Sequence, residues 1–420
     1  MSAAISAVPP PVAEPTGGWS SRRLMSAAAS DLAGHADRLG RIPWQSRPGS
    51  LLAELEASGL TGRGGAGFPA WRKLAAVAAA DRPVIVANAA EGEPASAKDA
   101  ALLSHAPHLV LDGLQLAAEA AGAGDVHLYV KAGPGAASAR RALAERRGWD
   151  RFRVRVHEAA PGFVSGEESA VISSLSGGPA LPTFKRRLAV ESGVGGRPTL
   201  VSNVETLAHL AMIARYGHRW FRTLGTAAEP GTFLATLSGA VEWPGVVEAP
   251  YGIRLRDLLG LAGGPAGPAR AVLVGGYHGA WVPADAGLDA PVSRAGLAPW
   301  GATPGAGVAV VLPAGECGLA KTATIARYLA GQSARQCGPC LNGLPTMADA
   351  LSRLARCERD PRLVGQVERM AGLVAGRGVC HHPDGTVRLV RSALRVFETD
   401  VRAHLSGGCE ERHGRMGGMR

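Results

Sequence analysis

The sequence predicts an α/β fold followed by a small α+β domain and a C-terminal helical bundle. Short apolar segments alternate with helical ones up to residue 231, short strands dominate from Thr232, and helical periodicity returns after Ala320. Such alternation is typical of a mostly parallel sheet with helices on its faces. The expected divisions are a disordered tail at 1–17, an α/β domain at 18–231, an α+β domain at 232–315, a helical domain at 316–406 and a flexible tail at 407–420.

The first domain begins with a short helix and then alternates strands with helices. Leucine spacing predicts the helix, at Leu51–Leu60, and a glycine-rich segment follows it directly. The apolar run Pro83–Ala87 precedes turn-forming residues, which is the pattern of a buried parallel strand. The other predicted elements are a helix at Pro107–Gly122, a strand at Val126–Val130, a helix at Ala136–Arg146, a strand at Phe152–Val156 and a helix at Ser169–Ser174.

The rest of the chain changes from short strands to helices. The predicted strands are Thr232–Ser238, Gly245–Glu248 and Ala271–Val274, with a helix at Leu255–Leu261. The last segment has the spacing of a terminal helical bundle. Its predicted helices are Thr322–Ala330, Leu344–Arg356, Pro361–Ala375 and Val387–His404.

Composition and charge argue against several classes of protein. The formal net charge is +10, but the basic residues are scattered and aromatic residues make up only 5%, so no nucleic-acid-binding surface is expected. No segment approaches the roughly 18 to 20 apolar residues that span a bilayer. The Pro/Ala-rich N-terminus lacks the pattern of a secretory signal. We therefore expect a cytoplasmic protein without direct membrane insertion.

The glycine-rich segment Gly62–Pro69 is the first candidate for a binding site. Closely spaced glycines allow backbone N–H groups to converge on a phosphate, and Arg63 adds a charged donor. The segment also fits the G-x-G-x-x-G expression of dinucleotide-binding loops, but that fingerprint requires a strand before it, and a helix is predicted here. Taken alone, the segment is also compatible with a glycine-rich loop that binds no ligand.

Two further polar segments carry weaker signals. Asn88, Glu91 and Glu93 follow the strand at Pro83–Ala87, and polar groups at the carboxyl end of a parallel strand lie where α/β sheets bind ligands. Two more carboxylates, Glu167 and Glu168, open a predicted helix, where such groups usually complement the helix dipole. Taken alone, the first segment is better explained as a surface loop and the second as a helix cap.

The order of the polar motifs along the chain carries a family resemblance. From about Leu51 to Leu405 the chain resembles the NADH-binding flavoprotein subunit of respiratory complex I, the NuoF type, and related subunits of NAD-linked hydrogenases and formate dehydrogenases. The resemblance implies a Rossmann-like FMN/NADH-binding domain, a β-grasp domain of the soluble-ligand-binding (SLBB) type and a helical iron–sulfur domain. The segments that carry it are Gly62–Lys73 (GRGGAGFPAWRK), Asn88–Asp99 (NAAEGEPASAKD), Gly166–Ala170 (GEESA) and Arg197–Thr206 (RPTLVSNVET).

The resemblance also implies roles for individual residues. In that family one pocket holds FMN with NADH stacked on its ring system, which keeps the reacting atoms face to face. By this resemblance Glu168 is expected beside the nicotinamide, with Phe68 and Phe184 against NADH. The residues expected around FMN and NAD(H) are Gly62, Arg63, Gly64, Gly65, Gly67, Phe68, Lys73, Asn88, Glu91, Glu93, Glu167, Phe184, Asn203 and Thr206.

A [4Fe–4S] motif of this family is present in altered form. Where relatives have four cysteine ligands, this chain keeps Cys337, Cys340 and Cys380, and Ala334 replaces the first. Thiolates at C-x-x-C spacing are typical of iron–sulfur and zinc sites. Three interpretations remain open: a cluster with an altered fourth ligand or only three irons, a domain that has lost its cluster, and a Cys₃His zinc site. The alternatives for a fourth ligand are His381, His382, Cys357 or a non-protein group.

The expected function is the oxidation of NADH through bound FMN, with electrons passed on singly to an iron–sulfur centre. The expected partner is a thioredoxin-like [2Fe–2S] subunit, a ferredoxin or a membrane redox complex, at which the chain would be peripheral. One alternative is an NADH-dependent reductase that feeds a ferredoxin or a membrane reductase. Another is a flavin-free nucleotide-binding scaffold or regulatory subunit, because Ala90 replaces a flavin-binding aspartate of relatives and Ala334 a cluster ligand.

Overall fold

The chain forms two compact units in the computed structural model, which describes residues 23–25, 29–45, 47, 49–184 and 187–409. The first unit comprises the chain up to Thr236 together with Pro244–Ile253. The second comprises Leu237–Trp243 and the chain from Arg254 onward. The tail expected at 1–17, and most of the one expected at 407–420, lie outside the described residues.

A four-stranded parallel sheet belongs to the first unit. It contains the strands β1 (Val84–Ala89), β2 (Asp125–Lys131), β3 (Val154–Ala159) and β4 (Thr199–Asn203). Their order is β3-β2-β1-β4, so β2 and β3 extend the sheet on one side of β1 and β4 on the other. In open α/β sheets, ligands bind at the carboxyl ends of the strands where the order reverses in this way.

Helices fill most of the remaining chain in this unit. One of them, α5 (Pro107–Ala121), is buried along most of its length and packs against α8 (Val204–Phe221). A Cβ added to Gly113 of α5 would lie 1.9 Å from the carbonyl oxygen of Leu207, so glycine is required for this close approach. The helices are α1 (Leu32–Leu39), α2 (Ser50–Ser58), α3 (Ala70–Ala78), α4 (Lys98–His105), α5 (Pro107–Ala121), α6 (Pro134–Glu145), α7 (Glu168–Leu175) and α8 (Val204–Phe221).

A buried charge cluster ties α5 to its neighbours. Asp112 accepts hydrogen bonds from Arg146 (2.6 Å) and from Arg215, and lies 2.8 Å from Nε2 of His35. Although burial raises the pKa of Asp112, these donors together lower it to about 2. Because an ion in such a site is costly to leave unpaired, the cluster fixes α1, α6 and α8 around α5.

The second unit contains a small antiparallel sheet and a helical region. Strand β7 (Ala269–Val274) pairs with β8 (Ala280–Pro283) and with β9 (Val308–Pro313). Of the strands that precede them in the chain, β5 (Thr232–Gly239) is divided between the two units and β6 (Gly245–Pro250) belongs to the first. The helices are α9 (Leu255–Gly260), α10 (Ala284–Gly287), α11 (Arg294–Leu297), α12 (Gly318–Gly331), α13 (Leu344–Ala355), α14 (Leu363–Val374), α15 (His382–Val396) and α16 (Glu398–Leu405).

The prediction of a single helix at Val387–His404 is wrong. The segment forms two helices, α15 and α16, because the backbone leaves the helical region at Phe397, with φ −108° and ψ 35°. The Phe397 ring is buried and packs edge to face on Trp281, with 5.3 Å between ring centroids. Tertiary packing therefore overrides the local helical pattern. In the described part of the chain, no helix is both long and apolar enough to cross a membrane.

Candidate functional site

Two asparagines lie side by side at the carboxyl ends of β1 and β4. Asn88 and Asn203 are partners in the register of these strands. Asn203 Nδ2 donates to Asp99 Oδ2 (2.7 Å) and its Oδ1 accepts from the N–H of Glu205 (3.0 Å), which caps α8. Asn88 Nδ2 donates to the carbonyl oxygen of Gly166 (2.9 Å). Three of the four sequence motifs therefore meet where the strand order reverses.

The glycine-rich loop, the fourth motif, closes on itself and lies against the start of α8. The N–H of Gly62 donates to the carbonyl oxygen of Phe68 (2.8 Å). A Cβ added to Gly64 would lie 3.5 Å from Cβ of Asn203. Gly65 and Gly67 have φ angles of 100° and 64°, a left-handed region that favours glycine. The predicted phosphate loop thus lies beside the strand ends.

Arg63 is buried within this loop. Its N–H donates to Thr206 Oγ1 (2.8 Å), and its guanidinium donates to Thr61 Oγ1 (2.9 Å) and to the carbonyl oxygen of Pro230 (3.2 Å). The guanidinium also lies 4.6 Å from the ring centroid of Tyr251. Arg63 Nε is buried and has no hydrogen-bond partner among the described residues. A buried donor of this kind fits an anionic group, because leaving it unpaired is costly.

A second buried cation, Lys98, lies between two carboxylates. Its Nζ is 2.6 Å from Asp99 Oδ1, 3.1 Å from Glu205 Oε2 and 3.2 Å from Asn203 Oδ1. Although burial lowers the pKa of Lys98, the two carboxylates raise it above its usual value. Glu205 was not singled out from the sequence. The signal that could have found it is its position directly after a strand and a helix-capping asparagine.

Glu91 and Glu93 occupy the turn after β1. Glu91 accepts hydrogen bonds from the Ser96 hydroxyl and from the N–H of Asp99 (3.3 Å). Burial, and next the charge of Asp99, raise the pKa of Glu91 to about 8, so its carboxyl is mostly protonated at pH 7. Glu93 accepts from the N–H of Ala95 (3.1 Å) and shapes the turn.

The paired carboxylates at the start of α7 have different surroundings. Glu167 is the N-cap and accepts from the N–H groups of Ser169 (2.8 Å) and Ala170 (3.2 Å). Glu168 instead forms an ion pair with Lys73 of α3, with 2.7 Å between Oε1 and Nζ. Lys73 therefore contacts a carboxylate that the family resemblance places beside the nicotinamide.

Two phenylalanines of the predicted set are on the surface. Phe68, just after the glycine-rich loop, is 46% exposed, and Phe184 is 75% exposed. Solvent-exposed aromatic side chains next to a polar site are suited to stacking on a planar ligand, because they bury apolar area when it binds.

The three predicted metal-ligand cysteines are in the second unit. Cys340 is buried, and burial followed by the nearby thiols of Cys337 and Cys380 raises the pKa of Cys340 to about 12. The three sulfurs are therefore close enough to interact. A turn of π-helix, Pro339–Gly343, contains Cys340, and Arg335 just before the motif has a φ of 54°. Irregular backbone of this kind is frequent at functional sites.

The two histidines after Cys380 differ in whether their ring nitrogens are free to bind a metal. Nδ1 of His382 is 3.0 Å from Nε2 of His278, and its Nε2 is 2.8 Å from the carbonyl oxygen of Leu329, so both ring nitrogens are engaged. His381 is 99% exposed, and its Nδ1 lies 3.5 Å from a carboxylate oxygen of Asp384. Of the two, His381 has more freedom to reach a ligand.

Family models match three stretches of the chain. Residues 55–212 match the Nuo51 FMN-binding domain, residues 234–276 the SLBB domain, and residues 320–404 the NADH-ubiquinone oxidoreductase-F iron-sulfur binding region. The first match contains the glycine-rich loop and the strand ends, and the third contains the three cysteines. The FMN-binding, SLBB and iron–sulfur organisation expected from the resemblance is thereby confirmed.

Full-length relatives and a solved structure agree with these matches. A NuoF-type NADH-quinone oxidoreductase subunit of Rhizobium meliloti is 33% identical, covering 85% of this chain and 89% of the relative. The corresponding protein of Escherichia coli is 30% identical, and the match covers 85% of this chain and 84% of that relative. In the solved structure of a NAD⁺-reducing [NiFe]-hydrogenase in the H₂-reduced state, one chain is 30% identical to this protein, with a TM-score of 0.78. The match covers 86% of this protein but only 63% of the hydrogenase chain. The chain belongs to the NuoF-type family of NADH-quinone oxidoreductase subunits.

Proposed function

We propose that this chain is an FMN-dependent NADH dehydrogenase subunit, a diaphorase that oxidises NADH and passes electrons singly to an iron–sulfur centre. The observation that carries the proposal is the meeting of four sequence-distant motifs at the reversal of strand order between β1 and β4. Bound FMN would supply the conversion of a two-electron donor into single electrons. The residues of the chain supply binding, orientation and electrostatics.

The glycine-rich loop and the start of α8 fit the phosphate end of FMN. Arg63 makes its hydrogen bonds to a hydroxyl and a carbonyl oxygen, neither of which neutralises its charge. Its buried Nε remains available to an anion. We assign Gly62, Arg63, Gly64, Gly65 and Gly67 to the loop around the cofactor, with Asn203 and Thr206 near its phosphate.

The turn after β1 fits the polar edge of the flavin or its ribityl chain. Glu91 and Glu93 lie in this turn, and Asn88 lies just before it near the end of β1. Because the pKa of Glu91 is raised to about 8, its carboxyl carries a proton at pH 7 and can donate a hydrogen bond. A carboxylate in the same place could only accept. Glu91 would therefore hold a proton at its own oxygen next to the cofactor.

The Lys73–Glu168 pair and the two exposed phenylalanines fit the nicotinamide end. We assign Glu168 to the contact with NADH and Phe68 and Phe184 to stacking on it. Glu167 supports this arrangement from the helix cap, because its hydrogen bonds fix the backbone on which Glu168 is mounted. Lys73 would keep the Glu168 carboxylate in position before the substrate binds.

Cys337, Cys340 and Cys380 would hold the iron–sulfur cluster, with the fourth position filled by His381 or a non-protein ligand. The soft thiolates fit iron, and the raised pKa of Cys340 means that metal binding must displace a proton there. His382 is the poorer candidate, because both of its ring nitrogens are already hydrogen-bonded.

The chain is expected to work within a larger assembly. Relatives are subunits of NADH-quinone oxidoreductases, and the chain matches part of a hydrogenase polypeptide. We propose a thioredoxin-like [2Fe–2S] subunit, a ferredoxin or a membrane redox complex as the electron acceptor, with any membrane association made through that partner. A cytoplasmic location follows from this proposal.

An anaerobic visible spectrum of the purified protein, before and after NADH, tests the proposal, with iron and zinc assayed on the same sample. We expect flavin bands that bleach with NADH. Cys340→Ser is the matched variant: it should lose iron but keep a flavin that NADH reduces. The contrary result would be a colourless protein that neither binds added FMN nor reduces an artificial acceptor with NADH. Ala90 and Ala334 would then indicate a scaffold subunit that has lost catalysis.

A further inference from the structure

A second group of metal-ligand side chains lies in the second unit and is not used by the proposed function. Cys317, His404 and Cys409 each offer a ligand atom, and the three atoms lie within 4.8 Å of one another. Sγ of Cys317 is 3.5 Å from Nε2 of His404. The group shares no residue with Cys337, Cys340 and Cys380. It therefore requires a separate explanation.

The spacing of these atoms suits a tetrahedral zinc ion. With Zn–S of about 2.3 Å and Zn–N of about 2.0 to 2.1 Å, two ligand atoms at the tetrahedral angle stand about 3.6 Å apart. The Cys317–His404 distance of 3.5 Å matches that value. Two sulfurs and an imidazole are also a ligand set that favours zinc over magnesium or calcium, whose ligands are oxygens.

The surroundings already orient two of the ligands. Nδ1 of His404 is 3.0 Å from the carbonyl oxygen of Leu354, which can only accept, so Nδ1 donates to it and Nε2 is the ring nitrogen that faces Cys317. Cys317 is the N-cap of the 14-residue helix α12, and its sulfur accepts from the N–H of Ala320 at 3.4 Å. That donor stabilises a negatively charged ligand sulfur. Both features are typical of the outer shell of a metal site.

Cys357 is next to the group and has an unusual backbone. It follows α13 with a φ of 64°, a position that glycine or asparagine normally occupies at a helix end. Its sulfur is 3.4 Å from the carbonyl oxygen of Gly408, the neighbour of Cys409. A cysteine held in this conformation, with its sulfur against the residue that precedes Cys409, points to a function of that sulfur.

We propose that Cys317, His404 and Cys409 bind a structural Zn²⁺ ion, with Cys357 as the fourth ligand. The ion would join the start of α12, the end of α13 and the segment after α16. Zinc at this place would anchor the C-terminal end of the described chain, because it would tie the segment that contains Cys409 to the start of α12, the end of α13 and His404 of α16.

Metal analysis and X-ray absorption at the zinc edge on the full-length chain test the proposal. The variant Cys337→Ser/Cys340→Ser/Cys380→Ser removes the other cysteine site and should retain one zinc per chain with three sulfur ligands and one nitrogen. Adding Cys317→Ser and Cys409→Ser should abolish that zinc. Cobalt, used as a coloured probe, should show thiolate-to-metal absorption in the first variant and lose it in the second.

Several outcomes would overturn the proposal. The first is that the triple variant contains no zinc and does not bind cobalt tightly. The second is that the cobalt absorption stays unchanged when Cys317→Ser and Cys409→Ser are added. The third is a Cys317–Cys409 disulfide, detected by mass spectrometry under non-reducing conditions. If the five-fold variant does not fold, the test is instead Cys357→Ser added to the triple variant that lacks Cys337, Cys340 and Cys380. It should lower the sulfur count at zinc from three to two and weaken zinc binding at least tenfold. An unchanged count and affinity would exclude Cys357.

Discussion

Lys73 and Glu168 are 95 positions apart in the sequence, yet Nζ and Oε1 lie 2.7 Å apart. Their side chains are 34% and 27% exposed, so the pair is open to solvent and contributes little to folding. Its position at the start of α7, one residue from the N-cap Glu167, is better explained by ligand binding. In the proposed function, this pairing would hold the Glu168 carboxylate in one orientation before NADH binds.

Glu168→Gln should slow NADH oxidation without expelling FMN. Loss of the charge beside the nicotinamide should lower kcat/KM for NADH by about tenfold, equivalent to about 1.4 kcal/mol. The melting temperature should hardly change, because a solvent-exposed pair contributes less than about 1 kcal/mol. Stopped-flow flavin reduction and the ratio of flavin absorbance to protein absorbance are the measurements. Loss of flavin from this variant would show that Glu168 has been placed wrongly.

Lys98→Met should strongly destabilise the first unit. The substitution leaves Asp99 and Glu205 buried without their shared cation, and such a loss costs about 3 to 5 kcal/mol. Urea unfolding gives the free energy of unfolding for the comparison. Lys131→Met is the matched control, because Lys131 is exposed at the end of β2. Equal stability of the two variants would contradict the proposed role of the buried ion cluster.

Gly166→Ala should damage the site through the backbone. An added Cβ would lie 2.0 Å from the carbonyl oxygen of Ala90, so the segment before α7 must move away from β1 and weaken the bond from Asn88. We expect about 1 to 3 kcal/mol of destabilisation and at least tenfold weaker FMN binding, measured by flavin fluorescence titration. Gly135→Ala, where the added Cβ meets its nearest atom at 3.5 Å, should bind FMN normally.

The elements that sequence patterns predicted are mainly those with strong local signals. The apolar run at Pro83–Ala87 corresponds to β1, which is buried along most of its length, as expected for a central parallel strand. The helix predicted at Pro107–Gly122 is found at Pro107–Ala121, ended by Gly122 in the left-handed conformation. Patterns of this kind are set by residues near in sequence, so they can be recognised without the fold.

Two kinds of feature were not predicted from the sequence: one helix with a local start signal, and contacts between residues far apart in the chain. Helix α8, whose backbone departs from helical geometry at Gly217 (φ 80°, ψ 165°), was overlooked, although Asn203 at its N-cap is a recognisable start signal. The ion cluster of Lys98, Asp99 and Glu205 joins two segments about a hundred residues apart, and no local pattern shows that pairing. The order of the motifs identified the site region, whereas the partner of each charged group required the three-dimensional structure.

Acidification should destabilise the second unit through the hydrogen-bonded pair His278 and His382. Burial, and next the neighbouring His382, lower the pKa of His278 to about 3, and burial lowers the pKa of His382. Arg388 also faces His278, donating to its carbonyl oxygen at 2.9 Å. With the folded pKa below the unfolded value, the unfolded chain binds more protons, so stability is full above about pH 6.5 and is lost as the pH falls toward 3.

The size of this effect can be measured with His278→Gln. From pH 8 to pH 5, His278 alone should remove about 2 kcal/mol from the free energy of unfolding of the native chain. Over the same pH range, the free energy of unfolding of the variant should fall by about 2 kcal/mol less than that of the native chain. The reason is that glutamine does not titrate, while its amide can still donate to Nδ1 of His382. His105→Gln, a substitution of an exposed histidine in the first unit, controls for surface effects. Parallel pH profiles of the native chain and His278→Gln would mean that burial does not keep His278 neutral.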